Sequence, residues 1–215
     1  MLRFSHKSTD DDRRQNVQAM SLALRLLSLA AFSAIFLDGL IAAEIAGLPE
    51  WLSTAARWVS EAASPIFVLP MLFGILVFEL ARRGTRSAHQ PSFGVVSLCG
   101  GISALLSSAI IKHAISRARP CVSNGLDALH FKPFAFEDAF ASMPSSQSAL
   151  AAAVMYALAR YYPRYRTFPL LVSVLVCSSR VAVNEHWASD VIAGWTVGYL
   201  VMHTLLRVLP ARPLF

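Results

Sequence analysis

The sequence predicts an all-α fold, a six-transmembrane-helix bundle with an interfacial helix between spans one and two. Its 215 residues are 55% hydrophobic and 15% charged, and the mean hydropathy is +0.52. A typical soluble domain carries roughly 25% charged residues. The apolar residues also gather into six runs, and a helix needs about 20 such residues to cross the hydrocarbon core. We therefore expect an integral membrane protein embedded in a lipid bilayer.

The net charge of +6 does not indicate a nucleic-acid partner. A surface that binds DNA or RNA needs clustered Lys and Arg on a soluble face. Here the 19 basic residues fall in short groups between apolar runs. The three cysteines, Cys99, Cys121 and Cys177, do not form a pattern typical of a disulfide framework or a zinc site.

The six apolar runs are the predicted spans, and several are rich in the small residues that let helices pack closely in a membrane. A polar tail, residues 1–16, precedes them, and residues 17–215 are predicted to form a single membrane-embedded domain. The first run is too long for the apolar core of a cleaved signal peptide. In chain order the spans are Val17–Ile45, Pro65–Leu80, Phe93–Ala114, Ser145–Tyr161, Phe168–Val183 and Trp187–Leu209.

The distribution of basic residues predicts the orientation of the spans, because cytoplasmic loops carry an excess of Lys and Arg. With the N-terminus inside, twelve of the 19 basic residues fall on the cytoplasmic side and six on the outer side. Both termini are therefore predicted to be cytoplasmic. Between spans one and two, the segment Pro49–Ala63 places apolar residues at helical spacing, which favours a helix lying along the outer membrane surface. An ordinary outer loop with two interfacial tryptophans explains the same residues.

Three polar stretches lie at the outer ends of the predicted spans, at residues 112–120, 144–147 and 179–190. Charged residues at membrane depth are costly and usually mark a functional site. Lys112, Arg119 and Arg180 would supply three cations to one outer pocket. Such a cluster suits a phosphoryl group, whose negative charge is spread over its oxygens.

Other residues of these stretches complete a predicted phosphate site. The backbone N–H groups of Ser145, Ser146 and Gln147 open a helix, and a helix N-terminus binds anions; the Ser145 hydroxyl would add a donor. His186 is the natural nucleophile. Asp190, one helical turn further on, is placed to hold the imidazole in its reactive tautomer. Water would then attack the phosphohistidine, and this chemistry requires no metal and no cofactor.

With these residues the chain resembles the type 2 phosphatidic acid phosphatases, the PAP2 superfamily, which share an active site with the vanadium haloperoxidases. The family pattern is Lys-x6-Arg-Pro, then Pro-Ser-x-His, then Ser-Arg-x5-His-x3-Asp. The resemblance covers spans three to six and implies a six-helix bacterial membrane protein with an outward-facing site. The first and third motifs are matched at Lys112, Arg119, Pro120, Ser179, Arg180, His186 and Asp190.

The second motif departs from the family, because Gln147 stands where the family has His. In the family that His is thought to stabilise the transition state or to protonate the leaving oxygen, and a Gln side chain cannot deliver a proton. General acid catalysis is worth roughly 10²–10⁴-fold, and it matters least when the leaving group is a weak base. Gln147 therefore favours a lipid diphosphate or a phosphate on an anomeric sugar carbon. Alternatively, His130 or His113 supplies the proton.

Together these observations predict a metal-independent lipid phosphatase at the outer face of a bacterial inner membrane. Undecaprenyl diphosphate and lipid A are the favoured substrates. A lipid phosphotransferase that uses the same phosphohistidine is one alternative, and a non-catalytic lipid-phosphate binding protein is another. The pair of His186 and Asp190 disfavours the binding-protein alternative, because a protein that only binds lipid phosphates does not need an oriented nucleophile. A vanadate-dependent haloperoxidase is disfavoured, because those relatives are larger and soluble.

Overall fold

The structure, a computed structural model, describes residues 3–82, 91–123 and 127–209, with side chains from residue 13 onward. Within these ranges the chain forms eight α-helices and no β-strand, so the predicted all-α class is confirmed. The helices are α1 (Arg3–Phe36), α2 (Asp38–Ala46), α3 (Glu50–Ala62), α4 (Pro65–Arg82), α5 (Phe93–Ile115), α6 (Ser146–Tyr161), α7 (Thr167–Ala182) and α8 (Ala188–Val208).

Spans two to six each correspond to one helix, α4 to α8, with ends within two residues of the predicted bounds. Local signals explain two of the starts. The Ser92 hydroxyl accepts a hydrogen bond from the Val95 N–H at 3.3 Å and so caps α5. Ser145 caps α6 in the same way through the Ser148 N–H.

The prediction of one continuous first span is wrong, because the structure divides Val17–Ile45 into α1 and α2 at Leu37. The polar segment before it is also helical from Arg3 onward. At the division, Asp38 is fully buried and its carboxylate accepts a hydrogen bond from the Ser33 hydroxyl at 2.9 Å. The same carboxylate is bound by Arg117, which lies 79 residues further along the chain. A sequence window cannot reveal such a distant partner.

Four helices are long and apolar enough to cross a membrane: part of α1, then α4, α5 and α8. Helices α6 and α7 have 16 residues each, so they span about 24 Å at 1.5 Å per residue. Helix α6 is also low in large apolar residues because protein surrounds it, with Ala149, Ala152 and Ala153 all buried. The count of six spans therefore stays a prediction.

The amphipathic segment between spans one and two is a helix, α3, as expected. Its tryptophans, Trp51 and Trp58, are about 70% exposed, whereas Ala56 and Ser60 are buried against the bundle. This two-faced pattern is the one typical of a helix at a membrane surface. Its location in the outer membrane interface stays a prediction.

Helix α6 lies at the centre of the bundle and packs against α5, α7 and α8. Its contact with α8 is close because α8 has glycine where the two backbones meet. A Cβ atom added at Gly198 would lie 2.0 Å from the Ala149 carbonyl oxygen, and one at Gly194 would lie 2.3 Å from the Ser145 carbonyl oxygen. Small residues at such contacts are the usual means of close helix packing in membranes.

We expect Gly198→Ala to destabilise the protein by about 1–3 kcal/mol, because the obstructing Ala149 atoms are backbone atoms that cannot rotate away. Gly74→Ala in α4 is the matched control, since nothing lies within 4 Å of the added methyl group. Thermal unfolding of both purified variants in detergent measures the effect. Equal melting temperatures for the two variants would contradict the packing assigned to Gly198.

Candidate active site

Six of the predicted site residues line one cavity of about 350 Å³. It lies where the C-terminal ends of α3, α5 and α7 meet the N-terminal ends of α4 and α6. The predicted residues in its wall are Lys112, Arg119, Ser146, Gln147, Arg180 and His186. Four others complete the wall: Ser60, Glu61, Ser64 and Pro65. Sequence reasoning did not single out these four, although the amphipathic pattern of α3 already indicated that one of its faces is buried.

The three predicted cations converge on this cavity but differ in their contacts. The Lys112 ammonium group has no hydrogen-bond or ion-pair partner among the side chains that the structure describes, and it lines the cavity. Arg119 binds Asp138, with its Nη2 atom 2.9 Å from the carboxylate, and Glu185. Arg180 donates a hydrogen bond to the Ser60 hydroxyl. The guanidinium groups are thus held in place before any anion arrives.

His186 lies in the short connection between α7 and α8 and is 4% exposed. Its Nδ1 atom is buried and lies 3.7 Å from Asp190 Oδ2, which is longer than a hydrogen bond. The ring itself lines the cavity, so Nε2 is the nitrogen available to a bound phosphoryl group. The predicted pairing of His186 with Asp190 is therefore present as a close contact.

Burial lowers the pKa of His186 from its usual value of 6.5 to about 4, because a charged imidazolium is poorly solvated there. The Asp190 carboxylate opposes this shift, while Lys112 and Arg180 add to it. The imidazole is consequently neutral at pH 7 and has the free lone pair that a nucleophile needs.

Arg117, which the sequence analysis did not single out, lies at the centre of a buried polar network next to the site. Its Nη1 atom is 2.6 Å from Asp190 Oδ1 and 2.6 Å from the Ser189 hydroxyl, and its Nη2 atom is 2.7 Å from Asp38 Oδ2. The guanidinium and both carboxylates are fully buried. Asp38 thus pairs with a cation outside the cavity wall. The sequence feature that could have indicated Arg117 is its position between Lys112 and Arg119 of the first motif.

Asp190 receives enough hydrogen bonds to be fixed in one orientation. Besides the Arg117 contact at Oδ1, its Oδ2 atom accepts hydrogen bonds from the Ser142 hydroxyl and from the Trp187 N–H at 2.9 Å. A carboxylate held at both oxygens cannot rotate away from His186. Arg117, Ser142 and Trp187 therefore hold the Asp190 carboxylate in place beside the His186 ring.

The second motif is divided between the cavity and the protein interior. Ser146 and Gln147 line the cavity, whereas Ser145 is fully buried as the N-cap of α6 and its hydroxyl accepts hydrogen bonds from Ser148. Gln147 donates a hydrogen bond from Nε2 to the Ser60 carbonyl oxygen at 2.9 Å. The side chain that replaces the family histidine thus connects α6 to α3.

The two alternative proton donors lie outside the cavity wall. The His113 ring stacks on Phe136, with ring centroids 5.0 Å apart. The His130 ring meets Phe140 at 5.2 Å, and its side chain is 53% exposed. Neither histidine is positioned to protonate a leaving group in this arrangement.

His186 and three cations thus line one cavity at the ends of the helices, an arrangement suited to a phosphoryl group. Among the described residues, no group of three or more His, Cys, Asp or Glu side chains is arranged to hold a metal ion. The chain belongs to the PAP2 superfamily, whose family model matches residues 92–213, and it is a phosphatase of that family from a bacterial membrane.

Two relatives with assigned activities are both lipid A 1-phosphatases. The protein from Rhizobium johnstonii is 29% identical over 178 residues, which cover 80% of this chain and 73% of the relative. The protein from Rhizobium etli is 31% identical over 125 residues, which cover 58% of this chain and 54% of the relative.

Two solved structures share the fold. The phosphatidylglycerolphosphate phosphatase from Bacillus subtilis superimposes with a TM-score of 0.64 at 24% identity, covering 89% of this chain and 94% of its own. LpxE from Aquifex aeolicus superimposes with a TM-score of 0.55 at 15% identity, covering 78% and 93%. At these identities the likeness concerns the fold.

Loss of Arg117 is expected to be costly, because it leaves two buried carboxylates without their cation. We expect Arg117→Met to lower the free energy of unfolding by about 3–5 kcal/mol. Lys132→Met is the matched control, since Lys132 forms an exposed ion pair with Glu137 that is worth at most about 1 kcal/mol. Chemical denaturation of both variants in detergent measures the difference, and a loss of similar size in the two would argue against the buried network.

The lowered pKa of His186 has a direct spectroscopic consequence. We expect its imidazole NMR signal to titrate near pH 4, whereas an unperturbed histidine titrates near 6.5. Because the pKa is lower in the folded state, the neutral ring stabilises the fold above pH 6.5, and this contribution is lost as the pH falls towards 4. The His186→Gln spectrum assigns the signal; a midpoint near 6.5 would contradict the assigned burial.

Proposed function

We propose that the chain removes a phosphate group from a membrane lipid through a phosphohistidine on His186. The observation that carries the proposal is the placement of this neutral imidazole in one cavity wall with Lys112, Arg119 and Arg180. His186 Nε2 attacks phosphorus, the bond from phosphorus to the lipid oxygen breaks, and the leaving oxygen departs with the bonding electron pair and takes its proton from solvent water. Water then attacks the phosphohistidine, the bond from phosphorus to nitrogen breaks, and inorganic phosphate leaves.

The cations act in both steps by stabilising the charge on the phosphoryl oxygens. Two arginines are suited to this role because each guanidinium presents several N–H donors in one plane. Lys112 is open to the cavity and supplies a point charge, while the backbone N–H groups of Ser146 and Gln147 start α6 at the cavity wall. Asp190 orients His186 and stabilises the imidazolium character that develops during transfer.

Gln147 bears on the choice of substrate. Its carboxamide donates a hydrogen bond to the Ser60 carbonyl oxygen of α3, and it is too weak an acid to protonate a leaving alkoxide. A leaving group that is a weak base needs no such proton, which favours a lipid diphosphate or a sugar 1-phosphate of the lipid A type. The names of the two Rhizobium relatives support the second of these.

The location of the enzyme is part of the same proposal. With cytoplasmic termini, as the Lys and Arg distribution predicts, the cavity faces the periplasm from the bacterial inner membrane. Residues 17–215 then form the single membrane-embedded phosphatase domain, preceded by a cytoplasmic tail of residues 1–16. The substrate is a lipid phosphate that reaches the cavity from the outer leaflet.

The test is phosphate release by the detergent-purified protein in the presence of EDTA. We expect release from lipid A or undecaprenyl diphosphate, slower release from phosphatidic acid and phosphatidylglycerol phosphate, and none from His186→Ala. Release that persists in His186→Ala would refute the phosphohistidine. If a folded protein releases nothing but moves phosphate to an added lipid acceptor, it is a phosphotransferase, and if it only binds these lipids, it is a binding protein.

The same panel tests the role of Gln147. Gln147→His restores the residue of the family motif, so we expect it to accelerate phosphatidic acid hydrolysis, where the leaving group is an alkoxide, by roughly tenfold or more. Release from the favoured lipid should change little. Equal acceleration on both kinds of substrate would contradict the link between Gln147 and leaving-group basicity.

A further inference from the structure

Glu185 is an acidic residue held against the cationic site. It immediately precedes His186, and its carboxylate binds Arg119 Nη1 and lies 3.9 Å from Arg180 Nη2. The side chain is 41% exposed and is not part of the cavity wall. Glu185 therefore lies beside the two arginines without filling the position that a phosphate would take between them and Lys112.

The contact of Glu185 with the two arginines lowers the positive charge that the cavity presents to an anion. Three cations and the Glu61 carboxylate line the wall, and Glu185 contacts both arginines from outside it, so these two carboxylates reduce the formal positive charge that faces a bound anion from three to one. Asp138 also pairs with Arg119, but its side chain is 91% exposed and solvent screens its charge. A phosphate monoester carries a charge of about −1.5 to −2 at pH 7, so a single phosphate group already offsets the remaining positive charge.

A second carboxylate works in the same direction. Glu61 lies in the cavity wall and forms no ion pair with any residue that the structure describes, although three cations line the same cavity. Its negative charge repels an additional phosphate group that extends past the arginines. Both carboxylates therefore penalise a ligand with more than one phosphate.

We infer that Glu185 is a positioning residue that sets the charge of the site, so that the enzyme prefers a phosphate monoester to a diphosphate. The inference rests on the proposed phosphatase function and narrows it. Gln147 favours either a lipid diphosphate or a sugar 1-phosphate, and the charge of the site selects against the diphosphate. The substrate class is then a lipid-linked sugar monophosphate.

The experiment compares farnesyl phosphate with farnesyl diphosphate, which share one apolar tail and differ by one phosphate group. The two also differ in leaving group, because the monophosphate expels an alkoxide and the diphosphate expels a weakly basic phosphate, so the readout is the change in the ratio of their kcat/KM values on substitution and not the wild-type ratio itself. Glu185→Gln removes one negative charge from the site, and this favours binding of the more highly charged diphosphate. We therefore expect the kcat/KM for the diphosphate, divided by that for the monophosphate, to rise by roughly tenfold. Glu185→Asp keeps the charge and should keep the wild-type preference.

Glu137→Gln is the control, because it removes a carboxylate from an exposed ion pair with Lys132 outside the cavity, and it should leave the ratio unchanged. An unchanged ratio in Glu185→Gln would overturn the inference. An equal fall in both kcat/KM values would also overturn it, because Glu185 would then only hold the arginines in place.

A binding measurement separates this inference from the proposed function. Calorimetric titration of orthophosphate and pyrophosphate into the wild-type protein and Glu185→Gln requires no turnover. If the wild-type protein releases phosphate neither from the farnesyl compounds nor from the lipids of the first panel, the proposed function fails, and a gain in pyrophosphate affinity in Glu185→Gln still supports the charge role of Glu185. Equal changes in affinity for the two anions would overturn it.

Discussion

Burial of the Arg117 guanidinium is the constraint on which the rest of the site depends. An uncompensated charge in the protein interior costs several kcal/mol, so the fold has to bring carboxylates to it. Asp38 comes from the start of α2, Asp190 from the first turn of α8, and the Ala128 carbonyl from the loop after α5. One side chain thereby joins three distant parts of the chain. Because Asp190 is one of its partners, the interaction that holds these parts together also fixes the carboxylate whose Oδ2 atom lies 3.7 Å from His186 Nδ1.

The bundle places its chemistry where helix ends meet. Helix α6 is buried on most sides, and the glycines of α8 let the two backbones approach, so the N-terminal ends of both helices lie together. The Ser145 N–H donates to the Asp190 carbonyl oxygen at 3.0 Å, which connects the second and third motifs directly. Lys112 and Arg180 come from the C-terminal ends of α5 and α7 at the same level. Cations and helix N-termini thus surround one small volume.

Helix α3 forms one side of the cavity. Its residue Ser60 accepts hydrogen bonds at both its hydroxyl, from Arg180, and its carbonyl, from Gln147. A histidine at position 147 would present a ring in place of this carboxamide. The departure from the family motif is therefore matched by a contact to α3, and this helix contributes Ser60 and Glu61 to the cavity wall. The acidic residues Glu61 and Glu185 then adjust the charge of a site that the arginines would otherwise dominate.

The sequence by itself determined the helices, because apolar runs and capping residues act within a few residues of each other. The spacing of the motifs also places Lys112 in the last turn of α5, places Arg119 just after that helix, and sets His186 four residues before Asp190. Tertiary structure alone decided that Arg117 is a buried structural cation while Arg119, two residues away, lines the cavity. It also decided that Ser60 and Glu61 belong to the site. These distinctions depend on partners 60 to 120 residues away, such as Asp38 for Arg117 and Arg180 for Ser60, and no local pattern contains them.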